Sequence, residues 1–399
     1  MEKLRIGMVV HAYYRRDARV IRYGETLAKA GYDVTVVCLK DPKEPEVEVV
    51  NGVTIYRVKF ERRRGGKIWY IWEYIWAFLL FTLKFSRLEL KHHFDIVHVH
   101  NMPDFLVFTG LLSRLRGAKI ILDLHDPMPE LFMSKFDLED GWIIKLLKIQ
   151  ERISLVFAQA LITVDTSFQE MFERRGIRSS KFTIVRNMPD YRFFLPREQL
   201  NHVAAEQADN FTLIYAGTIA ERYQLDNVIK AVAKAHRREP KVRLKVVGKL
   251  DQEGDYAKKL RDIISRENLQ DVVELHPPVL LDEIPNLLQD AQVGLEPSRR
   301  DPYTEYVLPL KLLEASAMKV PSLVSRRPTI ERYFSDDMVE YFEADSIDEL
   351  ADAIVKLINN PERLTELADK AYAIFETYNW DKETESYFGL LQQLARKKA

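Results

Sequence analysis

The sequence predicts an α/β protein built from two parallel-sheet domains, and three observations predict it. The chain has 399 residues, more than a single hydrophobic core usually holds. Strand patterns alternate with helix patterns from Leu4 onward, the order that builds a parallel sheet. A polar, strand-poor stretch at 195–210 separates that run from a second alternation beginning at Phe211. The division expected is 1–195 and 205–379, with a C-terminal helix at 380–399 packing back on the first domain.

Composition narrows the function classes. Lys and Arg total 59 against 60 acidic residues, so no global charge favours nucleic acid. One cysteine, Cys38, excludes an internal disulfide and any multi-cysteine metal site, and its apolar strand pattern marks it as buried core. The opening MEKLRIGMVV reads as a strand and not as a signal peptide, so the cytosol is the expected compartment.

Leu4–Val10 and Val34–Leu39 are β-runs, joined by a helical pattern from Val20 to Lys29 that stops at Gly31. The first strand leads into HAYYRRDAR, which lacks the G-x-G-x-x-G of dinucleotide-binding dehydrogenases. Tyr13, Arg15, Arg16 and Asp17 stand at the strand's C-terminal edge, where open α/β sheets place ligands. They are read as acceptor-side cleft lining or as ordinary solvated loop charges. Residues 52–60, GVTIYRVKF, read as an edge strand.

Four cations between Arg62 and Lys67 precede IWYIWEYIWAFLLFTLKF, residues 68–85. The run is short and carries Glu73, which disfavours a spanning helix. A core helix, an aromatic protein interface, an acceptor cleft and an amphipathic element on the bilayer all remain open. Trp69, Trp72 and Trp76 share one side, and with the cations they suit an anionic lipid surface.

FDIVHVH, ending at His100, places His98 and His100 on one side of a strand; no third ligand stands nearby in sequence, so no metal site is expected. Lys119–Leu124 ends in His125–Asp126–Pro127, polar groups at another strand tip. His125 is read as a hydrogen-bonding partner for a substrate hydroxyl or as a cap held by Asp126. In the second half, strands at Phe211–Tyr215, Val242–Val247, Val272–Leu275 and Gln292–Leu295 alternate with helices. Two such domains facing across a cleft form a small-ligand site. Pro309 then opens a helix whose first amides, near Leu310 and Lys311, suit a phosphate. Lys311 adds a mobile positive charge, and Glu314, near the same face, suits a ribose diol.

The order of these motifs resembles the retaining glycosyltransferases of family 4, as a divergent member. The resemblance spans nearly the whole chain. It is carried by DARVIRYGETLAKAGYDVTVVCL, FDIVHVH and KIILDLHDPMPE in the first half, and by YAGTIAERYQLDNVIKAVAKA, LKVVGK and LPLKLLEASAMKVPSLVS in the second. It implies the GT-B fold of two Rossmann-like domains facing across a cleft, with the nucleotide sugar mainly on the second domain and the acceptor on the first.

By that resemblance Glu314 is the ribose-binding glutamate, Leu310 and Lys311 lie in the diphosphate cradle, and His125 reaches the donor sugar. Gly217 is the phosphate-side glycine, and Val279 lies in the segment that holds the nucleobase. The chain departs from the pattern in three places. The first glutamate of the usual pair falls on Tyr306, leaving Glu305 as the nearest acid. The usual arginine and lysine correspond to Thr218 and Tyr223, with Arg222 and Lys311 as substitutes. Lys319–Val320 stands where a glycine is common.

The implied reaction moves a sugar from a nucleotide diphosphate sugar to a hydroxyl acceptor, as in cell-envelope polysaccharide or glycolipid synthesis. The donor is a substrate, no cofactor is implied, and protein groups neutralise the diphosphate without a metal. The aromatic segment at 62–85 makes a lipid-linked acceptor and a peripheral place on the cytoplasmic membrane face reasonable. A non-catalytic scaffold with residual nucleotide affinity and a GT-B-type epimerase are the competing readings.

Overall fold

A computed structural model of the chain describes residues 3–60, 67–190, 192–195, 210–250 and 254–396, the side chains of 67–71 excepted. It divides into two compact units: Met1–Asn187 with Asp381–Ala399, and Met188–Trp380.

The first unit holds an eight-stranded sheet in the order β3-β4-β2-β1-β5-β6-β7-β8. These strands are β1 (Arg5–Tyr13), β2 (Asp33–Leu39), β3 (Val47–Val50), β4 (Val53–Val58), β5 (Ile96–His100), β6 (Lys119–Leu124), β7 (Ala160–Thr163) and β8 (Phe182–Ile184). All neighbours are parallel except β3 with β4. The stretch 52–60 expected at an edge is therefore interior, because Val47–Val50 turns back antiparallel at Asn51–Gly52 and takes the edge. Near-continuous apolar strands such as Ile120–Leu122 are buried, as in a sheet covered on both faces.

The covering helices are α1 (Ala18–Lys29), α2 (Lys67–His92), α3 (Leu111–Leu115), α4 (Met128–Phe136), α5 (Trp142–Phe157) and α6 (Thr166–Arg174). Asp17 accepts the Val20 amide and so caps α1. Cys38 is fully buried, and burial pushes its thiol up to about 12. Phe81 and Phe85 of α2 reach the sheet, Phe85 stacking on Phe94 at 5.1 Å.

The second unit is a six-stranded parallel sheet in the order β11-β10-β9-β12-β13-β14. Its strands are β9 (Phe211–Ala216), β10 (Val242–Val247), β11 (Val273–His276), β12 (Val293–Glu296), β13 (Ser322–Ser325) and β14 (Glu340–Phe342). Along β9 the side chains alternate between two cores, Leu213 and Tyr215 in one and Ile214 in the other. Helices α7 (Leu225–Arg238), α8 (Asp255–Arg266), α9 (Ile284–Gln289), α10 (Leu310–Ala317), α11 (Pro328–Glu331), α12 (Ile347–Ile358) and α13 (Pro361–Thr377) complete this unit. Lys319, beyond α10, has φ of 54°, the left-handed region that favours glycine.

A last helix, α14 (Trp380–Arg396), supplies Tyr387, whose hydroxyl lies 2.9 Å from His98 Nδ1 on β5. Glu383 on the same helix accepts from the Arg186 amide and guanidinium. No helix among the described residues is long and apolar enough to cross a membrane.

Candidate functional site

In the second unit the C-terminal ends of β9 and β12 and the start of α10 enclose a cavity of about 350 Å³. Ligands of parallel sheets sit at this end because the strand tips and helix starts converge there. Gly217, Thr218, Leu310, Lys311 and Glu314 all line it, so two separate sequence motifs meet in one place. Gly217 follows β9 and donates its amide to the Val247 carbonyl. Close packing fixes this turn: a Cβ on Gly248 would lie 2.1 Å from the Gly217 oxygen.

Pro309 precedes α10, one residue earlier than the sequence suggests, and no side chain caps the helix. Its carbonyl accepts from the Leu312 and Leu313 amides, while Leu310 and Lys311 occupy the uncapped first turn at the cavity wall. Glu314 is buried against the same wall. Lys311 is held and not mobile. Its Nζ lies 2.7 Å from Glu296 Oε2 and over the rings of Tyr223 and Tyr215, at 4.2 and 4.7 Å.

Glu296, missed in sequence because the strand was ended at Leu295, is the electrostatic centre of this wall. It also pairs with Arg327 at 2.7 Å and accepts from Ser298. Burial would raise its carboxyl, but Lys311 and Arg327 overcome that and hold it low. An acid closing an apolar strand was the available signal. Arg327, also in the lining, donates to the Thr304 carbonyl.

Three expected donor-side residues lie outside the lining. Glu305 is paired with Arg300 at 2.5 Å. Arg222 sits over the ring of Tyr303 at 5.4 Å, and it is Tyr303 that reaches the cavity. Val279 packs on the apolar cluster that includes Leu313.

In the first unit a buried carboxylate, Asp123 near the tip of β6, gathers several groups. Arg19 of α1 donates to both its oxygens, at 2.7 and 3.1 Å. Nδ1 of His100 and Nε2 of His125 each lie 3.2 Å from Asp123 Oδ2, and 3.1 Å from one another. The His125 amide donates to Asn101 Oδ1, so ring and backbone are both fixed. Burial would raise Asp123, yet Arg19 and the histidines hold it well below the usual carboxylate range. Burial pushes His98 and His100 below theirs.

This corrects the expectation that the two strand histidines lack a third ligand. Asp123 lies opposite His100 in register, and His98, His100 and Asp123 bring ligand atoms within 4.8 Å of one another. Strand pairing, invisible in the spacing, supplies it. Arg19 on both carboxylate oxygens is a cation already competing for that position.

The acceptor-side candidates are engaged locally. Tyr13 ends β1 under the Arg16 guanidinium at 5.0 Å, Arg15 pairs with Glu44 and Glu48, and Arg16 pairs with Asp41. Asp17 is the α1 cap. Trp72 and Trp76 are exposed on α2; the side chain of Trp69 and residues 61–66 lie outside the described residues.

Two families of known proteins match the chain. Glycosyl transferases group 1 matches residues 196–374, and the glycosyl transferase 4-like domain matches residues 17–188. The chain is a GT-B-fold glycosyltransferase. A curated relative of this transferase, D-inositol 3-phosphate glycosyltransferase of Kineococcus radiotolerans, is 22% identical over 95% of the chain and 90% of its own length. An uncharacterized glycosyltransferase of Haemophilus influenzae is 22% identical over 93% and 94%.

Among solved structures, sucrose-phosphate synthase from Thermosynechococcus elongatus shares the transferase's fold with a TM-score of 0.78. Its identity is 18%, over 98% of this chain and 99% of that one. HepE of Anabaena, in complex with UDP-glucose, superposes with a TM-score of 0.73 at 14% identity, over 98% and 100%. The activity that both matched models describe is glycosyl transfer in general.

Proposed function

We propose that the protein is a retaining transferase that carries a sugar from a nucleoside diphosphate sugar to a hydroxyl of a lipid-linked acceptor in cell-envelope polysaccharide or glycolipid synthesis. One observation supports the donor side most directly: Gly217, Leu310, Lys311 and Glu314 line a single cavity at the strand tips of the second unit. The uncapped start of α10 faces a diphosphate, and Glu314 accepts from the ribose hydroxyls. The HepE complex supports a uridine diphosphate sugar as the first donor to try.

In the reaction the bond between the anomeric carbon and the diphosphate oxygen breaks, and the acceptor oxygen attacks from the same face. The acceptor proton passes to an oxygen of the departing diphosphate. Backbone amides and Lys311 stabilise the charge that develops there. His125, oriented by Asp123 and His100, supports the sugar ring at the reacting carbon and forms no bond to it.

Calorimetric titration with UDP and UDP-glucose tests the donor site. Glu314→Ala is expected to weaken binding about tenfold, the scale of one or two lost hydrogen bonds to a charged group. Unchanged affinity in Glu314→Ala, or binding that survives loss of both Glu314 and Lys311, removes the assignment.

A further inference from the structure

Helix α5 is apolar on two opposite faces. At about 100° per residue, Trp142, Leu146, Ile149, Ile153 and Val156 fall within an arc of roughly 80°. Each of these is exposed, from 56% to 75%. Ile144 and Leu155, on the far side of the helix, are fully buried. The core side accounts for one apolar stripe and leaves the other without a partner among the described residues.

Helix α2 repeats the pattern. Trp72, Trp76, Leu79 and Leu83 are exposed within an arc of roughly 60°. Tyr74, Phe81 and Phe85 form the opposite, buried side. The two helices belong to one flank: Tyr74 and Ile144 share a cluster with Met128 and Phe132 of α4. Both also pack on the 3₁₀ segment Asp104–Gly110, Phe78 against Phe105 and Phe157 against Phe108. Leu111 and Leu115, which continue that segment, are exposed as well. Scattered exposed apolar residues are ordinary, but two apolar stripes on helices that share one cluster are not.

The charges bordering the stripes select the occupant. Lys145 and Arg152 are exposed along one side of the α5 stripe, and the one acid of that helix, Glu151, is buried beneath it. Arg87 is exposed beside the α2 stripe, with Glu73 the acid on that flank. Glu139 and Asp140 stand exposed just before α5, Asp140 held by Lys148, so in a two-fold contact with a second copy Lys145 and Arg152 would meet no acid of the helix itself. Anionic headgroups would instead neutralise them while the tryptophans take the interfacial layer.

We infer that the outward faces of α2 and α5 form a single platform that seats the first unit on an anionic phospholipid bilayer, in the interface and without spanning it. The platform stands on its own observations; only its bearing on a lipid-linked acceptor rests on the transfer reading above.

Co-sedimentation of the full chain with phosphatidylglycerol-containing and pure phosphatidylcholine vesicles tests it. The wild type is expected to partition to the anionic vesicles and to lose that binding in high salt. Ile149→Glu with Ile153→Glu, or Trp76→Glu with Leu79→Glu, should each lower partitioning at least tenfold, with thermal melts unchanged because all four side chains are exposed. Leu280→Glu on the second unit should change nothing. Wild type that ignores anionic vesicles overturns the proposal even if the variants misfold. So do helix variants that bind as wild type, or a lipid-free dimer that the same substitutions dissociate. Vesicle binding without UDP-glucose binding would sink the transfer reading alone, and the reverse result would sink the platform alone.

Discussion

Each unit buries a carboxylate at the tip of a parallel strand and neutralises it with an arginine from elsewhere in the unit. The two differ in what lies beyond the pair. Asp123 opens through a histidine: Arg19, His98 and His100 around it are buried, and His125 in front of it is 19% exposed. Glu296 has Arg327 behind it but Lys311 in front, and Lys311 is 17% exposed at the wall of the cavity. A carboxylate that opens through a histidine fixes geometry, here the ring of His125. One that opens through a lysine tunes the charge a ligand meets.

Substitutions at the two carboxylates should separate these roles. Asp123→Asn leaves Arg19 buried and uncompensated, and is expected to cost about 3–5 kcal/mol in denaturant unfolding. Adding Arg19→Met should recover part of that loss, since removing both charges leaves neither one stranded. Glu296→Gln should cost less, about 1–3 kcal/mol, because Arg327 keeps the Thr304 carbonyl and Lys311 reaches solvent. Its larger consequence is expected in titrations with UDP, through a freed Lys311. Equal stability losses in the two variants would erase the distinction.

The smallest effect concerns pH. Burial pushes the Asp104 carboxyl up to about 7 and Glu151, which Arg175 contacts at 2.7 Å, up to about 8. These groups hold protons in the folded chain that they release on unfolding, so stability falls as pH rises towards 8. His98 and His100, pushed down by burial, act in the opposite sense only below their ordinary value of 6.5. Between pH 8 and pH 6.5 the denaturant midpoint is therefore expected to rise, and Glu151→Gln should flatten that rise. A midpoint that falls over this window reverses the sign of the effect.

The alternation of strands and helices was legible because apolar runs and glycine stops are local signals. So was the convergence of Gly217 with Leu310, Lys311 and Glu314, through motif order. Pairings across the sheet were not. Asp123 opposite His100 is a matter of strand register, and Arg327 meets Glu296 only after the chain crosses between strands. Helix α5 escaped for a different reason: two opposite apolar faces weaken the single-stripe periodicity by which an amphipathic helix is recognised.

Tyr387 and Glu383 join the first unit only after the whole second unit has been synthesised. On the ribosome, the later-made half can therefore finish folding while the earlier one still lacks a wall. Until α14 arrives, Tyr23 and His98 lose the ring that closes over them, and a nascent chain paused near Trp380 would offer that gap to chaperones or proteases.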